Sequence, residues 1–86
     1  MINQNKFNFK DKNNNNIIII NNFDSNTLEG NINAIDVQNP KDVIAQLDYS
    51  VYGENRLYMA SIKVGNGFKQ SGIGSALIYC LEHFEI

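Results

Sequence analysis

Seven consecutive residues, Lys69-Gln70-Ser71-Gly72-Ile73-Gly74-Ser75, offer the most specific chemistry in the chain. They join an apolar β-prone run ending at Val64 to a segment with helical periodicity. The first turn of a helix has backbone N–H groups without intrahelical partners and carries roughly half a positive charge. Small residues at Ser71, Gly72, Gly74, Ser75 and Ala76 allow a ligand to approach those amides closely. The natural guest of such a site is a phosphate or pyrophosphate.

Spacing separates the known kinds of glycine loop. A P-loop needs GxxxxGK[ST]. Gly67 and Gly72 have the right separation, but Ile73 and Gly74 stand where the lysine and the hydroxyl residue are required. Neither a γ-phosphate clamp nor a magnesium ligand is then available. A dinucleotide fingerprint needs GxGxxG. Gly65-Asn66-Gly67 meets Gln70 at the third position, and Gly72-Ile73-Gly74 meets Leu77. Both patterns fail.

The pattern that fits is [Q/R]xxGx[G/A] directly after a strand ending in hydrophobic-x-Val. The stretch from Ile62 to Ile78 follows it without a gap, with Phe68 before the loop, the small pair Gly72 and Gly74, and Ala76-Leu77 opening an apolar helix stripe. It resembles the coenzyme A motif of the GNAT superfamily of N-acetyltransferases. One position departs: Lys69 stands where the family prefers Gln or Arg, and lysine lacks arginine's planar fork. The resemblance covers about Asp42 to Phe84 and implies an acetyl-CoA-dependent transfer of an acetyl group to an amine, without a covalent enzyme intermediate. It implies that the backbone of Ile62 and Val64 bonds the pantetheine arm as an added strand. The amides from Lys69, Gln70, Ser71, Gly72, Ile73, Gly74 and Ser75 would hold the pyrophosphate. The co-substrate is acetyl-CoA, without a metal, and the acceptor a small-molecule or protein amine.

The chain also departs from the family as a whole. The usual pair of N-terminal helices is replaced by Asn-rich sequence. The sequence ends at Ile86, before the further strand, helix and final strands of the complete fold. The expectation is thus a partial domain, either an N-acetyltransferase fragment or a non-catalytic coenzyme A-binding remnant. Its free strand edge invites a homodimer by edge pairing.

No catalytic residue is assigned. Asp48 and Glu54 could deprotonate an ammonium, but the favoured reading is a solvent-facing strand residue and a turn residue. Tyr49 and Tyr58 fall on apolar faces and read as core aromatics. Cys80 lies on the helix stripe and reads as a small hydrophobe. His83 has no companion at metal-ligand spacing.

The elements that must position this loop are legible to different degrees. Val43 to Val51 alternates strictly, with Val43, Ala45, Leu47, Tyr49 and Val51 on one face, which predicts a strand buried on one side. Asn39-Pro40-Lys41-Asp42 before it is a turn signal, and Gly53-Glu54-Asn55 after it closes a hairpin. Leu57 to Val64 is apolar on both faces and reads as a central strand. Ile73, Leu77, Cys80, Leu81 and Phe84 form an amphipathic helical stripe. Asn31 to Val37 reads weakly as a strand. Residues 1–28 read as an Asn-rich, partly disordered or irregular segment in which Ile17 to Ile20 suits a strand buried on both faces. Residues 29–86 read as the partial domain.

The fold class expected is α/β (α+β), a mixed, mainly antiparallel sheet with one C-terminal amphipathic helix, resembling the N-terminal half of the acyl-CoA N-acyltransferase fold. Eighty-six residues allow one small domain. A net charge of −2 argues against a nucleic-acid module, and no apolar run reaches the ~20 residues needed to cross a bilayer. One cysteine excludes an internal disulfide framework. The expected location is cytoplasmic, with the nucleus not excluded. Thirteen of the fifteen asparagines precede Pro40. That bias fits an A/T-rich coding sequence as well as selected chemistry.

Overall fold

A computed structural model describes residues 2–53, 56–65, 68 and 71–83. Five strands, β1 (Ile2–Lys10), β2 (Asn16–Asp24), β3 (Glu29–Asp36), β4 (Val43–Val51) and β5 (Leu57–Val64), precede one helix, α1 (Ile73–Glu82). The strands form a single sheet in chain order, each antiparallel to the next. The architecture is α+β, with α1 packed on one face of β3, β4 and β5.

The Asn-rich N-terminus differs from the irregular segment expected. Its tract from Asn13 to Asn15 is a turn, and the residues on either side form a hairpin of two nine-residue strands. Asp11 makes this work. One of its carboxylate oxygens accepts the N–H groups of Asn13 (2.9 Å) and Asn15 (2.8 Å), and the other accepts the Asn15 side-chain amide (3.0 Å). Asn14 takes the left-handed conformation, φ 67°, that asparagine tolerates better than most residues. In β2, Ile17, Ile19, Asn21 and Phe23 are buried under the helix side, while Ile18 and Ile20 are only half-buried. The isoleucine run therefore has one core face, not two.

In β4 the expected alternation holds for Ala45, Leu47, Tyr49 and Val51, all buried. Val43 leaves that face and is 52% exposed. The pairing shifts there, Ala34 opposing Ala45 and Ile35 opposing Val43, so Ile44 is an extra residue that turns inward in Val43's place. The turn before β4 closes with the Asp42 N–H on the Asn39 carbonyl (3.1 Å), Pro40 at its second position.

β5 is an edge strand, not a central one. Tyr58 is 58% exposed, so it is not the core aromatic expected of it. Apolar residues on both of its faces gave the impression of double burial, but α1 covers one face only and β5 has a partner on one side only among the described residues. Ile73, Leu77 and Leu81 of α1 meet Ile32, Ala34 and Leu47 in the core. Cys80 packs at its margin, and Phe84 lies outside the described residues.

Candidate functional site

The site begins at the free edge of β5. The Gly65 N–H donates to the Ile44 carbonyl at 2.7 Å, and Gly65 stands opposite Ile44 in the register that pairs Val64 with Ala45. In an antiparallel ladder, hydrogen-bonded and non-hydrogen-bonded pairs alternate. Gly65 is of the first kind, so Lys63 and Ser61 bond β4, while the N–H and C=O groups of Val64 and Ile62 point away from it. These two residues thus present their backbone to the open edge. Just upstream, Asp48 pairs with Ser61 and Tyr49 with Met59, which leaves Ala60 as a bulge in β5. Such a bulge increases twist and re-aims the neighbouring groups.

β5 then feeds the loop. The Phe68 N–H donates to the Gly65 carbonyl (3.1 Å) and the Ser71 N–H to the Phe68 carbonyl (3.3 Å). Lys69 and Gln70, both expected to supply amides, lie outside the described residues. Ser71 is buried and committed: its hydroxyl donates to the Phe68 carbonyl and its carbonyl accepts the Lys12 N–H at 3.0 Å. Its role is to tie the loop to the β1–β2 turn, and its amide is already in use.

The next four residues differ. Gly72 adopts φ 93° as the N-cap of α1, a conformation suited to glycine, and the helix has neither a side-chain cap nor an acidic residue in its first turn. Among the described residues, none accepts the N–H groups of Gly72, Ile73, Gly74 or Ser75. Ile73 anchors this turn, its side chain fully buried in the core. Gly74 lies over Val64: a Cβ there would sit 3.6 Å from the Val64 Cγ2, an ordinary contact. The helix N-terminus therefore stands directly on the end of β5.

A neighbour from the far end of the sequence completes the site. Lys12 lays its aliphatic stem across Gly72, with its Cε 3.6 Å from where a Gly72 Cβ would be. Lys10, Lys12, Gly72 and Ser75 border a cavity of about 420 Å³ between the β1–β2 turn and α1. A lysine beside the positive end of a helix is unfavourable unless an anion lies between them. Lys12 is separated from the loop by some 60 positions, and nothing in its local sequence marks it; only the hairpin places it here. Burial raises the pKa of its neighbour Asp11, but hydrogen bonds from the Asn15 side chain and the Asn15 and Asn13 amides outweigh that and leave it below the usual carboxylate value.

The other chemical candidates are dispersed. Asp48 is on the sheet face opposite α1, accepting the Gln46 side-chain amide (2.8 Å) and the Ser61 hydroxyl (3.0 Å); Glu54 lies outside the described residues. Tyr49 is buried, its hydroxyl donating to Asn21 Oδ1 at 2.7 Å. Burial, only partly offset by this bond, pushes its pKa up to about 12. Burial also raises the Cys80 pKa, which keeps the thiol protonated. His83 caps α1 through Nδ1, 2.9 Å from the Tyr79 carbonyl, with its ring stacked on Tyr79. Among the described residues, no three of His, Cys, Asp and Glu cluster as a metal site, and no helix is long and apolar enough to cross a membrane. No family model matches the chain, nor does any curated protein or solved structure.

Proposed function

We propose that the chain binds acetyl-CoA along the β5 edge and the N-terminus of α1, as an N-acetyltransferase or part of one. The observation that carries this reading is the continuity of two kinds of unsatisfied backbone. The outward groups of Ile62 and Val64 run into the uncapped first turn at Gly72 to Ser75. An extended amide-containing arm ending in a diphosphate matches that sequence of groups. Pantetheine amides would extend the sheet by one strand, and the pyrophosphate would rest on the helix amides with Lys12 as its counter-charge. The acetyl thioester would then lie upstream along β5, toward the Ala60 bulge. There an amine nitrogen attacks the carbonyl carbon, the C–S bond breaks, and coenzyme A leaves as the thiol once it takes up a proton. Asp48, linked to β5 through Ser61, is the described carboxylate nearest in sequence pairing to that point.

A second reading keeps the binding and drops the chemistry. It is favoured by the position of Asp48, whose two oxygens are both engaged by neighbouring side chains.

Isothermal titration of coenzyme A into the wild type and a Gly74→Glu variant tests the common part. A glutamate in the first turn suits the helix dipole, and its Cβ would meet only an ordinary contact with Val64, so the variant is expected to fold. Its charge should nevertheless repel the diphosphate and weaken binding at least about ten-fold, roughly 1.4 kcal/mol. Equal behaviour of the two proteins, or no binding by either, would refute the proposal. Release of free thiol from acetyl-CoA with a panel of primary amines then separates transferase from binder.

A further inference from the structure

A second cleft lies further along α1, next to the Lys12 cavity, with which it shares Phe9 and Ala76. The helix covers β3, β4 and β5, and between it and the β1–β2 hairpin remains a cavity of about 620 Å³. That volume is in the range of small-molecule sites, ~300–1,000 Å³. Its inner walls are apolar, Phe7, Phe9 and Ile19 from the sheet and Ala76 and Cys80 from the helix, while the exposed residues Asn8, Tyr79 and His83 border it. The buried side chain of Asn21 also lines it.

Asn21 is only 3% exposed, and its hydrogen bonding is half complete. Its Oδ1 accepts the Tyr49 hydroxyl, whereas its Nδ2 has no partner among the described residues. A carboxamide has two N–H donors there, and Nδ2 is not among the fully buried unpartnered atoms, so these donors stay accessible from the cleft that Asn21 lines. An aliphatic residue at this position would bury the same face with no polar group, as Ile19 and Ile17 do two and four residues earlier. Cys80 offers only a neutral thiol.

From this geometry we infer a binding site for a small, uncharged, apolar molecule carrying one carbonyl oxygen. The hydrocarbon part fills the space between Phe7, Phe9 and Ala76, and the carbonyl accepts the Asn21 Nδ2 hydrogen bond. A charged ligand is disfavoured because no Lys, Arg, Asp or Glu lines the cleft, and His83 stands at its exposed border. The site lies away from the β5 edge, adjoins the Lys12 cavity through Phe9 and Ala76, and does not rest on coenzyme A binding.

The test uses acetophenone and its isostere α-methylstyrene, which has a methylene in place of the oxygen. Both are titrated into ¹⁵N-labelled protein while the Asn21 side-chain amide resonances are followed. The ketone is expected to shift the Asn21 amide pair saturably and to bind about five-fold more tightly than the hydrocarbon, the scale of one neutral hydrogen bond. Ala76→Phe, which fills the cleft and leaves Asn21 and Tyr49 intact, should abolish both titrations. No saturable binding by the wild type, equal affinities, or a ketone that leaves the Asn21 resonances unmoved would overturn the inference.

Discussion

Single residues set the tolerances of this fold. Gly30 is the clearest: a Cβ there would lie 2.4 Å from the Tyr49 ring and 2.7 Å from the Asn22 carbonyl. The ring crosses the glycine to reach Asn21 and stacks parallel to Phe23, with centroids 6.3 Å apart. Gly30→Ala is expected to lower stability by about 1–3 kcal/mol, the cost of forcing a packed ring aside, as read by chemical denaturation. Two ionisable residues bound the pH range. The Asp11 pKa is lowered in the fold, so its contribution is complete above the unfolded value of 3.8 and is lost as pH falls through the lower folded value. Tyr49 works in the opposite sense. Its folded pKa is raised, so its contribution is complete below 10.0 and fades as pH rises toward about 12. Denaturation midpoints measured across pH should fall at both extremes, with Asp11→Ala flattening the acid limb and Tyr49→Phe the alkaline one.

Among the elements, β5 has the most distinctive behaviour to expect. If its ladder alternates as the register requires, the amides of Ser61 and Lys63 should exchange slowly with solvent, and those of Ile62 and Val64 quickly. Added coenzyme A should slow the second pair without changing the first. Native-state hydrogen exchange reads both. The elements also show where local pattern suffices. The Ala45 to Val51 alternation and the α1 stripe have strong periods of two and 3.6, and the structure follows them. β1 has no comparable signal: in Ile2–Lys10 only Phe7 and Phe9 alternate apolar with polar, and asparagine disfavours strands. It is a strand because the Asp11 turn folds it back on β2. The position of β5 was illegible for another reason. Apolar content reports a residue's preference for burial, whereas burial itself depends on how many neighbours the topology supplies. The glycines at the start of α1 are plain in the sequence, while the place of Lys12 beside Gly72, brought about by the hairpin, is not.

At the scale of the molecule, the sheet has two edges with different character. β1 carries Lys6 and Lys10, charges that discourage pairing with other chains. β5 carries Lys63 near its end and exposes Met59 and Tyr58. A second copy pairing on β5 would use the same outward groups of Ile62 and Val64 as a pantetheine arm. The two are mutually exclusive, so saturating coenzyme A is expected to shift any dimer seen by sedimentation velocity toward monomer. We propose that this edge and the first turn of α1 act as one binding track. A residue-resolved NMR titration with coenzyme A reads both halves at once. Saturable shifts are expected at Ile62 and Val64 together with Gly72, Ile73, Gly74, Ser75 and Lys12. Shifts confined to one half of that set, or falling elsewhere on the sheet, would contradict it.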